Sequence, residues 1–152
     1  MTKPSLISLL MLLIIGGAVY YAMHTPAPEG GVVVESELTG KEDLIRVTSP
    51  RAGSAVTSPL TISGEARGNW FFEASFPVYV ADWDGLIIGE GYATAEGEWM
   101  TSDFVPFTAT ITFDTEEIRG QYSDRGTLIL KKANASGLPE HDDALEIPII
   151  LK

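Results

Sequence analysis

From Leu44 to the end of the chain, the sequence consists of short segments in which apolar and polar residues alternate. A period of two is typical of β-strands with one face in a core, whereas an amphipathic helix repeats every 3.6 residues. Clusters of Gly, Pro, Asp and Asn separate the segments, as expected for turns. The pattern predicts seven strands, within residues 44–49, 60–67, 70–82, 86–95, 104–114, 126–132 and 144–152.

These strands predict an all-β domain, an immunoglobulin-like antiparallel β-sandwich of about seven strands. Asp84-Gly85 predicts a tight hairpin turn, and the small residues Gly89 and Gly91 predict a close approach by a neighbouring strand. The chain has no cysteine, so its stability depends on packing and not on disulfides. The predicted core aromatic residues are Trp70, Phe72, Phe76, Phe107 and Phe113.

An uncharged apolar segment, residues 6–23, precedes the domain. As a helix it would be about 27 Å long, close to the thickness of the hydrocarbon core of a bilayer. Lys3 is the only charged side chain before it, so residues 1–5 are predicted to be cytoplasmic and the rest of the chain extracytoplasmic. We therefore expect a single-pass transmembrane signal-anchor helix at the cell membrane. The alternative is a cleaved signal peptide that releases a secreted or periplasmic binding domain.

Residues 24–43 form an acidic segment rich in Pro and Gly, which predicts a flexible linker before a domain at 44–152. The whole chain has a net charge of −11. Such a charge repels phosphate backbones, so nucleic acid is not expected as a partner. The expected partners are the membrane itself, through the anchor, and an envelope protein or a cell-wall component.

The order of several motifs resembles the Gmad2 domain, an immunoglobulin-like domain of bacterial spore germination. The resemblance covers essentially all of residues 45–151. It implies an exported accessory domain without catalytic activity, whose ligand is not defined. It is carried by Ile45–Pro50, Gly53-Ser54, Ser58–Leu60, Gly64–Ala66, Asn69–Glu73, Phe76–Val78, Asp84-Gly85, Gly89–Gly91, Glu98–Met100, Pro106-Phe107, Asn134–Gly137 and Ile147-Pro148.

No residue pattern predicts a catalytic site, a metal site or a cofactor. His141 has Asp142 and Asp143 beside it, but neighbours on an extended loop point in different directions, and no Gly-x-Ser-x-Gly motif is present. Residues 82–85 share only part of a calcium-loop pattern, because the further acids and the closing Glu are missing. An envelope hydrolase or a calcium-dependent protein that uses these acidic loops is the alternative function.

The candidate interaction surface consists of Trp83 and Asp84 at the predicted hairpin tip and of His141 and Asp142 in the loop 133–143. Trp83 is the large aromatic residue expected outside the core, and exposed aromatic residues are enriched at binding hot spots. The hypothesis is that the tip and the loop flank one recognition surface. The sequence therefore predicts a membrane-anchored, non-catalytic interaction or structural module of the bacterial cell envelope.

Overall fold

A computed structural model describes residues 40–114 and 122–152. The predicted anchor helix 6–23 lies outside these residues, as does the linker up to residue 39. Within the described ranges, no helix has the length and apolar character needed to cross a membrane.

The described residues form an all-β domain with two short 3-10 turns, Gly68–Trp70 and Pro139–His141. Each of the seven predicted segments overlaps one strand. An additional strand of two residues, β2, was missed because so short a segment has no measurable period. The strands are β1 (Ile45–Ser49), β2 (Ala55–Val56), β3 (Leu60–Arg67), β4 (Ser75–Ala81), β5 (Ile87–Ala95), β6 (Phe104–Ile111), β7 (Arg125–Lys131) and β8 (Ala144–Leu151).

The strands form one curled sheet in the order β1-β3-β6-β5-β4-β7-β8-β2. Its two halves meet at β5 and β6, which are joined only by the pairs Thr94–Thr108 and Ala95–Phe107. Beyond these pairs the halves fold over each other, so that the Phe76 ring on β4 lies 5.0 Å from the Phe107 ring on β6. The predicted sandwich is thus confirmed with two corrections. Its layers are continuous, and β2 pairs with β8 in parallel.

The prediction of a continuous strand over residues 70–82 was wrong. Its first residues form a 3-10 turn followed by a reversal, in which Glu73 and Ala74 have positive φ angles. The alternation of faces is therefore lost before β4 begins. As a result Phe71 is buried, whereas Phe72, predicted to be in the core, is 49% exposed.

The small residues of β5 do allow a close approach by the neighbouring strand, as predicted. A Cβ atom at Gly89 would lie 3.0 Å from side-chain atoms of Ile111 and Phe113, and one at Gly91 would lie 3.3 Å from Ile111. Larger residues at these positions would push β6 away from β5. The glycines therefore let the sheet bend sharply where its two halves diverge.

Candidate interaction surface

The β4–β5 connection is a tight hairpin, as Asp84-Gly85 predicted. The N–H of Asp82 donates to the carbonyl of Leu86 at 2.9 Å, and the N–H of Gly85 donates to the carbonyl of Asp82 at 3.2 Å. Gly85 has a φ of 85°, a conformation that glycine adopts without steric cost. The turn therefore holds residues 83–86 at the tip of the hairpin.

The buried side chain of Asp82 stabilises this turn by hydrogen bonds to its backbone. Its side chain is only 7% exposed, and its Oδ1 accepts hydrogen bonds of 2.9 Å from the backbone N–H groups of both Asp84 and Leu86. From the sequence, Asp82 was considered only as a possible calcium ligand. An Asp that begins an Asp-x-x-Gly turn is the sequence signal for this backbone-binding role.

Replacing Asp82 with alanine should lower the free energy of unfolding by about 1–3 kcal/mol, because two backbone N–H groups would lose their acceptor. Chemical denaturation of both proteins would measure the change. Asp82→Asn is the matched control, since its amide oxygen still accepts both bonds. An equal loss of stability in Asp82→Asn would contradict the assigned role of Oδ1.

Trp83 is 45% exposed, and its ring lies 5.6 Å from the ring of Tyr122, at an interplanar angle of 52°. The neighbouring side chains Leu86, Ile87 and Tyr122 are 60%, 46% and 91% exposed. We call these four residues the hairpin-tip patch. Exposed apolar side chains that lie together are typical of interaction sites.

Of the hairpin-tip patch, only Trp83 was predicted from the sequence. Regular alternation along β5 would place Ile87 on the same face as Gly89. The register shifts between Val80 and Ala81, which pair with Gly89 and Ile87, so one extra residue of β5 interrupts the alternation. This irregularity accounts for the exposed side chain of Ile87.

The second half of the candidate surface is the loop 133–143, which Asn134 holds together. The Asn134 side chain donates to the carbonyl of Leu138 and to Oδ1 of Asp142, and its own Oδ1 accepts from the N–H groups of Ser136 and Gly137. The positive φ angle of this loop is at Gly137. Asn134 acts through its side chain.

Asp142 is part of the same network. The hydrogen bond from Asn134, together with Lys131 at 3.6 Å, holds the pKa of the Asp142 carboxyl below its ordinary value. His141 lies exposed at the end of the short 3-10 turn. The loop is thus a self-bonded structure in which Asp142 has a structural role.

The structure does not bring the two halves of the candidate surface together. Ala81, just before the tip, pairs with Thr127 near the start of β7, whereas the loop 133–143 follows the opposite end of β7. Seven residues of strand separate the two by roughly 20 Å. Strand direction therefore places the tip and the loop apart, at opposite ends of β7, and that they flank one surface stays a prediction.

The loop instead lies where the chain enters the domain. The Lys41 ammonium contacts the Asp143 carboxylate and the carbonyl of Ala144. The hairpin-tip patch is consequently at the far end of the domain from residue 41. Among residues 40–114 and 122–152, no group of three or more His, Asp or Glu side chains is arranged to hold a metal ion.

Comparison with known protein families gives a match. The family model of Gmad2, described as an immunoglobulin-like domain of bacterial spore germination, matches residues 44–124, just over half of the chain. The match includes β1 to β6 and the hairpin-tip patch. No curated protein and no solved structure matches the chain.

Proposed function

The chain belongs to the Gmad2 family of immunoglobulin-like domains, and we propose that it is a non-enzymatic interaction module anchored at the cell membrane and displayed in the bacterial envelope. The single observation that supports the proposal best is the position of the hairpin-tip patch. Trp83 and its neighbours lie at the end of the domain opposite Lys41, where the chain enters. In this proposal the segment 6–23 is the anchor, and the predicted linker is the spacer up to residue 39, because Lys41 already contacts Asp143 of the domain.

A patch at the end of the domain opposite the point where the chain enters is accessible to a partner in the envelope. As a flexible coil, the sixteen residues 24–39 would span on the order of 20–25 Å. In this proposal the end of the domain with the exposed Trp83 and Tyr122 rings is the one that meets the partner. Trp and Tyr are among the residues that contribute most to binding energy at interfaces. We therefore assign recognition of an envelope protein or a cell-wall component to the patch.

Trp83→Ala should reduce capture of the partner from intact envelopes by more than about tenfold, because hot-spot aromatic residues contribute about 2 kcal/mol or more. The measurement is quantitative cross-linking of the full-length protein, followed by mass spectrometry. The matched control is Phe72→Ala, which removes an exposed aromatic ring at the opposite end of the domain. Equal capture by wild type and Trp83→Ala, with the fold intact, would refute the role of the tip.

The anchor is tested separately. Membrane fractionation should place the full-length protein in the membrane pellet, and an impermeant reagent added to whole cells should label Lys152. Labelling of Lys152 only after lysis would contradict display outside the membrane, and recovery in the soluble envelope fraction would favour the cleaved, released form. Either result leaves the test of Trp83 unchanged.

A further inference from the structure

A row of hydroxyl groups crosses the outer face of the sheet on four adjacent strands. Ser49 on β1 pairs with Ser63 on β3, Ser63 pairs with Thr108 on β6, and Thr108 pairs with Thr94 on β5. We call these four residues the hydroxyl row. With strands about 4.8 Å apart, the row is roughly 14 Å long.

The row faces solvent, and its hydroxyl groups have no partners among residues 40–114 and 122–152. Ser49, Thr94 and Thr108 are exposed, and Ser63 is half-buried. Within the part of the chain that the structure describes, none of the four hydroxyls makes a hydrogen bond. All four are therefore available to donate to and accept from a ligand.

The residues beside the row are uncharged on one side and carry charges on the other. Thr61 and Thr110 form the neighbouring pair toward the start of β3. In the other direction lie the ion pair of 3.0 Å between Glu65 and Arg46 and the exposed carboxylate of Glu96, just after β5. Because the row itself offers only hydroxyl groups and the chain has a net charge of −11, the row suits a neutral ligand better than an anionic one.

An exposed aromatic ring lies beside one end of the row. Tyr92 precedes Thr94 by two residues on β5, so both side chains are on the outer face, about 7 Å apart along the strand. Tyr92 is 68% exposed. The apolar face of a sugar ring packs on such an aromatic ring while its hydroxyls bind polar groups nearby.

The other end of the row opens into a groove. This cavity of about 460 Å³ is lined by the hydroxyl-bearing residues Thr48, Ser49, Ser54 and Thr57 and by the exposed Arg51. Ser49 belongs to both the row and the groove. One continuous polar track therefore leads from Tyr92 across the sheet into the groove.

We propose that this track binds a neutral polysaccharide chain. A sugar chain offers what the track can bind: hydroxyl groups that both donate and accept, apolar ring faces for Tyr92, and a repeat length similar to the strand spacing. A rigid lattice such as ice fits less well, because neighbouring strands are twisted by about 20–25° and the hydroxyls are not coplanar. The inference does not depend on the hairpin-tip patch, which is formed by other residues.

The test is co-sedimentation of the full-length protein with microcrystalline cellulose, chitin and starch granules, in a detergent without a sugar headgroup. We expect binding to at least one of them. The double variant Thr94→Val/Thr108→Val keeps the shape of both side chains and should weaken binding about tenfold, through the loss of two hydroxyls. Thr108→Ser, which keeps its hydroxyl, should bind within about twofold of wild type.

Two controls make the test specific. Thr127→Val removes a hydroxyl from β7, outside the track, and Trp83→Ala alters the hairpin-tip patch. Both should bind polysaccharide like wild type. The proposal is overturned if none of the three polysaccharides binds, if the double variant binds undiminished, or if Thr127→Val loses as much affinity. Adsorption to ice without binding to any polysaccharide would likewise overturn it.

Discussion

Replacing Phe71 with alanine should lower the free energy of unfolding by about 3–5 kcal/mol, whereas the same change at the adjacent Phe72 should cost less than about 1 kcal/mol. Phe71 is only 4% exposed, and its ring lies 5.2 Å from the ring of Phe76 in the core. Truncation there leaves a cavity, whereas the half-exposed Phe72 ring leaves little buried space behind.

Comparing the stability losses of Phe71→Ala and Phe72→Ala tests the fold directly, because regular strand alternation predicts the larger loss for Phe72→Ala. A regular strand over residues 70–82 would bury Phe72 with Trp70 and expose Phe71. Urea denaturation of the two variants measures both changes. The dependence of the unfolding free energy on urea concentration is taken from wild type. Similar losses in the two variants, or a larger loss in Phe72→Ala, would contradict the 3-10 turn and the reversal that precede β4.

Gly68→Ala should destabilise the domain by about 3 kcal/mol or more, the upper range for overpacking a core. A Cβ atom at this position would lie 2.0 Å from the carbonyl oxygen of Thr101 and 2.3 Å from that of Trp99. Both obstacles are backbone atoms, so no side-chain rotation relieves the clash. The turn Gly68–Trp70 and the segment after Trp99 would have to separate.

Gly40→Ala is the matched control, because an added Cβ at Gly40 has no neighbour within 4 Å. Its stability should stay within about 0.5 kcal/mol of wild type. Thermal and denaturant unfolding of the two variants measure the difference. If Gly68→Ala is as stable as Gly40→Ala, the close packing of these two segments is refuted.

The family match supports the resemblance that the sequence motifs indicated. It extends over residues 44–124, so it includes the motifs from Ile45 to Pro106-Phe107. The later motifs, Asn134–Gly137 and Ile147-Pro148, lie beyond it. In the structure these motifs form the loop held by Asn134 and the middle of β8.

Wherever a strand is regular, the alternation of apolar and polar residues was sufficient to predict which side chains are buried. Residues 104–111 illustrate this, because Phe107, Ala109 and Ile111 are buried and the residues between them are exposed, as their alternation predicted. Asp84-Gly85 likewise predicted its turn, since the conformation depends on the two residues themselves. Alternation did not predict the exposure of Phe72 and Ile87. A chain reversal changes the face on which Phe72 lies, and a register shift does the same for Ile87.

The candidate surfaces could be predicted only in part, since sequence neighbours are visible in a sequence and strand neighbours are not. Trp83 was found from its place beside a turn. Tyr122 was missed, because only folding places it 5.6 Å from Trp83. The hydroxyl row was missed for the same reason, as its four members come from four strands.

The sequence by itself determined the all-β class, the positions of the longer strands and the hairpin at residues 82–86. These features depend on side-chain alternation and turn chemistry, which act over a few residues. Only the tertiary structure decided that Trp83 and His141 lie at opposite ends of the domain and that the two sheet layers are continuous. Those features depend on strand order and register, which are set by the packing of residues distant in the chain.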